Sequence, residues 1–330
     1  MNTAKSNLCM RFTRILIIML VTTAGYAQPD SLFFAEESVD KLLAPVWTKK
    51  NTATLDFSEV AFVNWNSGGS NSISALLGVA LSRNLKQDNF TWNNSIIARY
   101  GINKQQNQEL RKTDDYLELV SNLGYRKDTL TNWYYSARFN FKAQFSNGYN
   151  YPDTSKPISQ FMAPGYLFLG AGAEYGKNIE KFSLYFSPLT LKATFVLDED
   201  LANEGAFGVT PAVFDEEGNV LVKGKQVRRE LGILFSGFHE TVVLDNVKLI
   251  NQFSLYTDYI NNFGNVDIDW LLNVDFKVNQ FVRATLGSHL KYDDDVKILE
   301  PVDEVEGEFT ERGAKVQWKQ LLGIGVIVDF

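Results

Sequence analysis

The chain has 330 residues, 45% of them hydrophobic and 13% aromatic, with a mean hydropathy of -0.16 and a formal net charge of -7 at pH 7. Past the N-terminal region no stretch approaches the roughly 18 uncharged apolar residues that a spanning helix needs, which excludes a helical membrane protein. The acidic balance speaks against nucleic acid as a partner, and one cysteine, Cys9, excludes a disulfide framework.

Residues 1–27 read as a secretory signal peptide. Lys5, Arg11 and Arg14 form the charged region, Ile15–Val21 the apolar core, and Gly25-Tyr26-Ala27 the small-x-small cleavage site. Cys9 precedes that core and is no lipobox; its loss with the signal leaves no thiol and no sulfur metal site. Removal of three basic and no acidic residues moves the net charge from -7 to -10. Residues 28–50 form a lead-in segment, periplasmic or lumenal, in which Ser38–Leu43 fits one or two helical turns ended by Pro45.

From about Asn51 the chain offers twelve strand candidates. The first, Ala53–Asn64, changes phase between Leu55 and Phe57 on one face and Val60 and Phe62 on the other, which predicts a bulge near Ser58-Glu59. The second, Ser72–Arg83, turns Ile73, Leu77 and Leu81 outward; the third, Phe90–Lys104, turns out Trp92, Ile96 and Tyr100; the fourth spans about Asp115–Lys127. The fifth is the clearest. From Thr131 to Asn147, Trp133, Tyr135, Ala137, Phe139, Phe141, Ala143 and Phe145 alternate with Tyr134, Ser136, Arg138, Asn140, Lys142, Gln144 and Ser146.

The sixth, Gly165–Lys177, and the seventh, Phe182–Leu197, alternate less cleanly, and Pro188 predicts a kink in the seventh. The eighth and ninth cover about Gln226–His239 and Leu244–Asp258. The tenth, Val266–Asn279, sets Ile268, Trp270, Leu272, Val274 and Phe276 against Asp267, Asp269, Asn273, Asp275 and Lys277; Phe281–Asp293 and Lys315–Phe330 complete the set. Long gaps (Asn64–Asn71, Gln105–Thr113, Gly148–Pro164, Asp198–Lys225, Tyr259–Asn265, Asp294–Ala314) alternate with short ones, as in barrels whose short turns face the periplasm.

The expected fold is therefore all-β: residues 51–330 as a transmembrane, antiparallel, up-and-down β-barrel of about twelve strands in the outer membrane, with lipid and lipopolysaccharide as its surroundings. Trp92, Tyr125, Trp133, Phe276 and Phe330 fall at periplasmic strand ends, where an aromatic girdle belongs. The terminal Phe330 resembles the signal that such proteins present to the barrel-assembly machinery.

Trp47-Thr48 and the run Phe62-Val63-Asn64-Trp65-Asn66-Ser67-Gly68-Gly69-Ser70-Asn71-Ser72 resemble the opening of a Bacteroidota outer-membrane family labelled as a domain of unknown function, number 3078. The resemblance runs over most of the mature chain and implies the compartment and the barrel, with no established activity. The run itself reads as a hairpin loop in which Gly68 and Gly69 permit the reversal.

Arg99, Glu118, Arg138, Lys142, Asp267, Asp269, Asp275, Lys277, Arg283, His289 and Lys291 are the expected lumen-lining residues, because a lipid-facing charge costs about 2–4 kcal/mol near the midplane. They suit a selective channel and equally a salt-bridged filling that conducts nothing. Ser288 and His289 are adjacent on one strand and face opposite ways, so they form no nucleophile–base pair; no catalytic residue, cofactor or metal is expected. Two loops are acidic, Asp198–Glu217 and Asp293–Glu311, without the spacing of a calcium motif, and Asp215-Glu216-Glu217-Gly218-Asn219 reads as a turn between two short strands. Three roles follow: a narrow channel for small polar solutes, a non-conducting scaffold or accessory subunit binding other envelope proteins, or, more remotely, a lipid-modifying barrel enzyme.

Overall fold

A strand-forming run leaves amides and carbonyls unpaired on both sides, so twelve of them in a row must end as a sheet with two raw edges or as one with none. In the computed structural model, which describes residues 45–61, 70–260, 263–301 and 309–330, the sheet has none. Its strands are β1 (Val46–Val60), β2 (Ser72–Gln87), β3 (Phe90–Gln105), β4 (Arg111–Tyr125), β5 (Trp133–Ala143) and β6 (Gly165–Tyr175). They continue as β7 (Phe182–Phe195), β8 (Val227–Leu244), β9 (Val247–Asp258), β10 (Asp267–Lys277), β11 (Val282–Tyr292) and β12 (Gln317–Asp329). Each pairs antiparallel with its sequence neighbours, and β1 closes on β12 from Thr52 opposite Asp329 to Phe57 opposite Ile324.

Alternation sets the two faces. On β5, Tyr134 and Ser136 are buried, whereas Trp133 and Tyr135 are 59% and 74% exposed. Leu77, Tyr125, Leu169, Trp270, Phe276, Leu322 and Ile324 likewise stand on the outside of their strands. The interior takes the polar residues: Asp56, Glu118, Asn122, Glu174, Lys192, Thr194 and Glu230 are all buried. This is the inverse of a water-soluble protein.

One end of the barrel carries tight connections. Asp88-Asn89 and Asp245-Asn246 are two-residue turns, with Asp88 in the left-handed region (φ 47°) that such a reversal requires. Trp92, Tyr125, Trp133, Phe276 and Phe330 lie toward this rim, and Trp133 packs on Tyr175 with ring centroids 5.0 Å apart. The other end carries the long connections, and these hold three two-stranded sheets: Gly148–Tyr149 with Pro157–Ser159, Val213–Phe214 with Val220–Val222, and Lys297–Pro301 with Phe309–Ala314.

Several boundaries differ from expectation. Strand β1 begins at Val46, inside the expected lead-in, and pairs with β2 without interruption through Ser58–Ser74, Glu59–Ile73 and Val60–Ser72. The bulge expected near Ser58-Glu59 is therefore absent; Val60 keeps its inward phase because it is already at the mouth. Strand β5 stops at Ala143 because the Asp115 carboxylate captures the amides of Phe145 (2.7 Å) and Ser146 (2.9 Å). Strand β8 runs on to Leu244, past the expected end at His239. The signal peptide, the Ser38–Leu43 turns and residues 62–69 of the Phe62–Ser72 run lie outside the described residues.

The Pro188 irregularity is a bulge. On one side Ala171 opposes Leu189 and Ala173 opposes Phe186; on the other Gly232 opposes Thr190 and Leu234 opposes Ser187. Proline has no amide to give the ladder, and the Ser187 hydroxyl fills in, within hydrogen-bond distance of the Ala171 (2.9 Å) and Leu189 (3.1 Å) carbonyls. Gly172 backs directly onto this bulge, where a Cβ would run into the Phe186 carbonyl and the Ser187 backbone. Gly172→Val should destabilise the barrel by about 1–3 kcal/mol, read as a lower urea midpoint and a smaller heat-modifiable fraction on gels.

Candidate functional site

The inward phase gathers the polar side chains into one lumen holding two cavities. Glu118, Arg138, Lys142, Asp267, Asp269 and Lys291 border the first, of about 770 Å³. Arg99, Asp275, Lys277, Arg283 and His289 border the second, of about 710 Å³. Lys50, Ser82, Ser95 and Ile97 belong to both linings, so the cavities adjoin along β1–β3.

Ion pairs cross between strands that are not neighbours in the sheet. Lys142 Nζ on β5 donates to Asp269 Oδ2 on β10 (2.8 Å), and the other oxygen of Asp269 meets His289 Nε2 (2.7 Å). An ionised carboxylate only accepts, so Nε2 carries the proton there. Lys319 on β12 pairs with Asp114 on β4 (2.8 Å), which also holds Arg99 (3.2 Å). Arg138 joins Glu174 (2.9 Å) and the Ser236 hydroxyl (2.8 Å), with its guanidinium 4.1 Å from the Tyr185 ring centroid. Arg283 lies 3.6 Å from both Asp56 and Asp275. Lys277 is exposed at the short-turn rim, and Phe330 is 70% exposed with its amide on the Asn51 carbonyl (3.1 Å). His289 bonds Asp269 while Ser288 accepts from Trp318 Nε1 (2.9 Å), so the two serve different partners.

Period-two reading missed Glu174, Lys192 and Glu230. On β7 the buried inward residues are Ser183, Tyr185 and Ser187 before the bulge and Thr190, Lys192 and Thr194 after it, with Ala193 on the opposite phase also buried. The bulge exchanges odd for even, so counting on from Ser183 sends Lys192 to the wrong face. The signal that recovers it is Pro188 itself, taken as a change of phase. Lys192 Nζ then reaches Asp267 (2.7 Å), Glu230 (3.5 Å) and Asp293 (3.7 Å).

At the long-loop end, residues 196–226 fold over the mouth. Asp198 caps the short helix Glu199–Asn203 by accepting from the Leu201 amide (2.9 Å), and Ala163, Val196, Leu201, Ala202 and Val209 form a small apolar core against which Phe207 packs. Phe207 also borders the first cavity. Lys156 pairs with Glu204 and Lys223 with Glu199, so this acidic loop is partly neutralised. In the second acidic loop, Asp293 and Asp295 turn inward and bring carboxylate oxygens within 4.8 Å of Asp267. Lys192 and Arg228 (2.7 Å from Asp295) occupy the cation positions of that group. The Asp303–Glu308 stretch of that loop lies outside the described residues.

Residues 57–149 match the family described as "Protein of unknown function (DUF3078)". That is less than half of the chain. No curated protein matches. Among solved structures, an outer membrane channel from Pseudomonas putida F1 is similar at 13% identity and a TM-score of 0.39, over 89% of this chain and 100% of that one. The translocator domain of the autotransporter NalP from Neisseria meningitidis (10% identity, TM-score 0.31) covers 98% of this chain and 97% of its own. The NanC porin (10%, 0.35) covers 84% and 98%. At these values the likenesses assign no role.

Two outcomes test the site. Glu174→Gln leaves the buried Arg138 without its counter-charge and should cost about 3 kcal/mol, seen as a lower urea midpoint with the strand circular dichroism retained. In the turn of the outer hairpin, hydrogen bonds from the Asn219 side chain and amide hold the Asp215 carboxyl below its ordinary value. A lowered carboxylate stabilises above the ordinary value and loses that contribution as pH falls through the lowered one. The Val220–Val222 amide resonances should therefore keep their positions at mildly acid pH and collapse only below the ordinary carboxylate range.

Proposed function

We propose that the chain is an outer-membrane β-barrel whose lumen is a narrow, polar passage for small hydrophilic solutes. The membrane assignment is supported by the inverted distribution of side chains. A soluble monomer seldom exposes a contiguous apolar patch beyond about 300–600 Å². Here Phe57, Leu77, Tyr100, Tyr135, Leu169, Phe186, Trp270, Trp318 and Leu322 are exposed on strands all around the barrel. Charges on those positions would cost about 2–4 kcal/mol each in lipid, and the buried polar set lies inside instead. In this reading residues 1–27 are removed on export, Phe330 is the handle for barrel assembly, and lipopolysaccharide and lipid surround the wall.

The passage rests on one observation. The lining of the first cavity includes Glu180 and Lys181 in a short turn at one end and Phe207 and Val296 in long loops at the other. A single space, with Glu118, Arg138, Lys142, Asp269 and Lys291 on its wall, thus borders both mouths. The cross-lumen pair of Lys142 with Asp269 makes it far narrower than a wide porin and favours the rival role, a sealed scaffold for other envelope proteins. An enzymatic role finds no support in Ser288 and His289, which bond to different partners.

Planar-bilayer recording separates the two readings. Folded wild-type barrel should show small, stable openings, and both Lys142→Ala and Phe207→Ala should enlarge them, the first by removing the strut and the second by trimming the cap. Silence from heat-modifiable, correctly inserted protein would remove the passage and leave the scaffold.

A further inference from the structure

Across the two adjoining cavities the donors outnumber the acceptors: Lys142, Asp269 and Lys291 border the first, and Arg99, Asp114, His289 and Lys319 the second. Asp269 and Lys291 face each other in register on β10 and β11, and His289 and Lys319 do so on β11 and β12. Asp269 is occupied at both oxygens, by His289 at 2.7 Å and Lys142 at 2.8 Å. Asp114 is occupied likewise, by Arg99 at 3.2 Å and Lys319 at 2.8 Å, and it also accepts the Asp115 amide at 3.0 Å. Glu118 lies 3.9 Å from Lys142 and accepts from Asn140 at 2.8 Å.

A lysine ammonium has three N–H groups and a guanidinium five, and neither accepts. With these contacts made, Lys142, Lys319 and Arg99 still hold unused donors. Lys291 has no ion pair and no hydrogen bond among the described residues, although a carboxylate stands opposite it in register. Its register partner on β12, Gln317, borders the same 770 Å³ cavity as Lys291 and adds an amide. A cavity of that volume holds a small organic molecule.

We propose that Lys291, with the spare donors of Lys142, Lys319 and Arg99, forms a lumenal binding site for a small oxyanion, a phosphate or a short carboxylate. The arrangement is a donor cradle without its acceptor. The Asp269 and Asp114 carboxylates fix the surrounding cations in place, each of their oxygens already engaged by one of them. An oxyanion spreads its acceptor sites over several oxygens and can span donors set apart, whereas chloride offers a single small centre. The inference rests on the passage reading only for the route by which the anion arrives.

The test is calorimetric titration of the folded, detergent-solubilised barrel with inorganic phosphate, with succinate and with chloride, alongside bilayer recording of the same preparation. Phosphate or succinate should bind and chloride should not. Lys291→Met should weaken that binding about tenfold, the equivalent of one charge-assisted hydrogen bond, and Lys291→Arg should restore most of it. Heat-modifiability on gels certifies that each variant is folded. A folded wild type that takes up neither oxyanion overturns the site, and so does binding that Lys291→Met leaves unchanged. Binding without conductance supports the site while removing the passage, so the two readings fail separately.

Discussion

The pairing of β1 with β12 is the constraint on which the rest depends. Every other strand meets a sequence neighbour across a connection, and that hairpin logic needs nothing from the rest of the chain. The seam from Thr52–Asp329 to Phe57–Ile324 joins the two ends of the described chain and converts a ribbon with two open edges into a wall with none. In hydrocarbon an unpaired amide or carbonyl costs several kcal/mol, so the seam is the condition for any of the wall to be immersed. Its side chains suit a tight join. Thr52 Oγ1 donates to Asp329 (2.6 Å), and Gly325 leaves room for the Asp56 side chain, which a Cβ there would strike.

Closure then decides the interior. Once the sheet is a cylinder, one phase of each strand is shut inside with the inward phases of eleven others, and the residues there must satisfy one another. Buried ion pairs bring little net stability, since desolvation offsets most of the attraction, yet removing one partner costs about 3–5 kcal/mol. Lys142–Asp269, Arg138–Glu174 and Lys192–Asp267 are therefore poor explanations for why the barrel forms and good explanations for why its lumen has a definite shape.

The wall was legible in the sequence and the lumen's contacts were not. Period-two alternation located all twelve barrel strands, because Trp133 and Tyr135 outside with Ser136 and Arg138 inside is a pattern that no helix produces. Strand ends were less legible: where β5 stops depends on Asp115, eighteen residues before its first residue, and nothing near Ala143 announces it. The phase change read at Ser58-Glu59 proved to be a strand reaching the mouth, and the real one, at Pro188, hid Lys192. Which inward charge meets which is invisible to any local rule, since Lys142 and Asp269 lie 127 residues apart.

That separation has a consequence for function. Strand number and the stagger of the ladders set the mean radius of the cylinder, but they leave its section free to flatten between β5 and β10. A twelve-stranded ring is wider than its side chains fill by packing alone, being intermediate between the eight strands that side chains close and the sixteen that leave an open channel. The cross-lumen struts fix that section, from Lys142 to Asp269 and from Lys319 to Asp114. The groups that hold the cylinder in section are thus the same groups that narrow whatever passes through it. A single substitution that widens the lumen at a strut leaves the other half an unmatched charge, so width and stability move in opposite directions there. A solute that pairs with the spare donors of such a strut would relieve that opposition, because it adds acceptors without breaking the bridge.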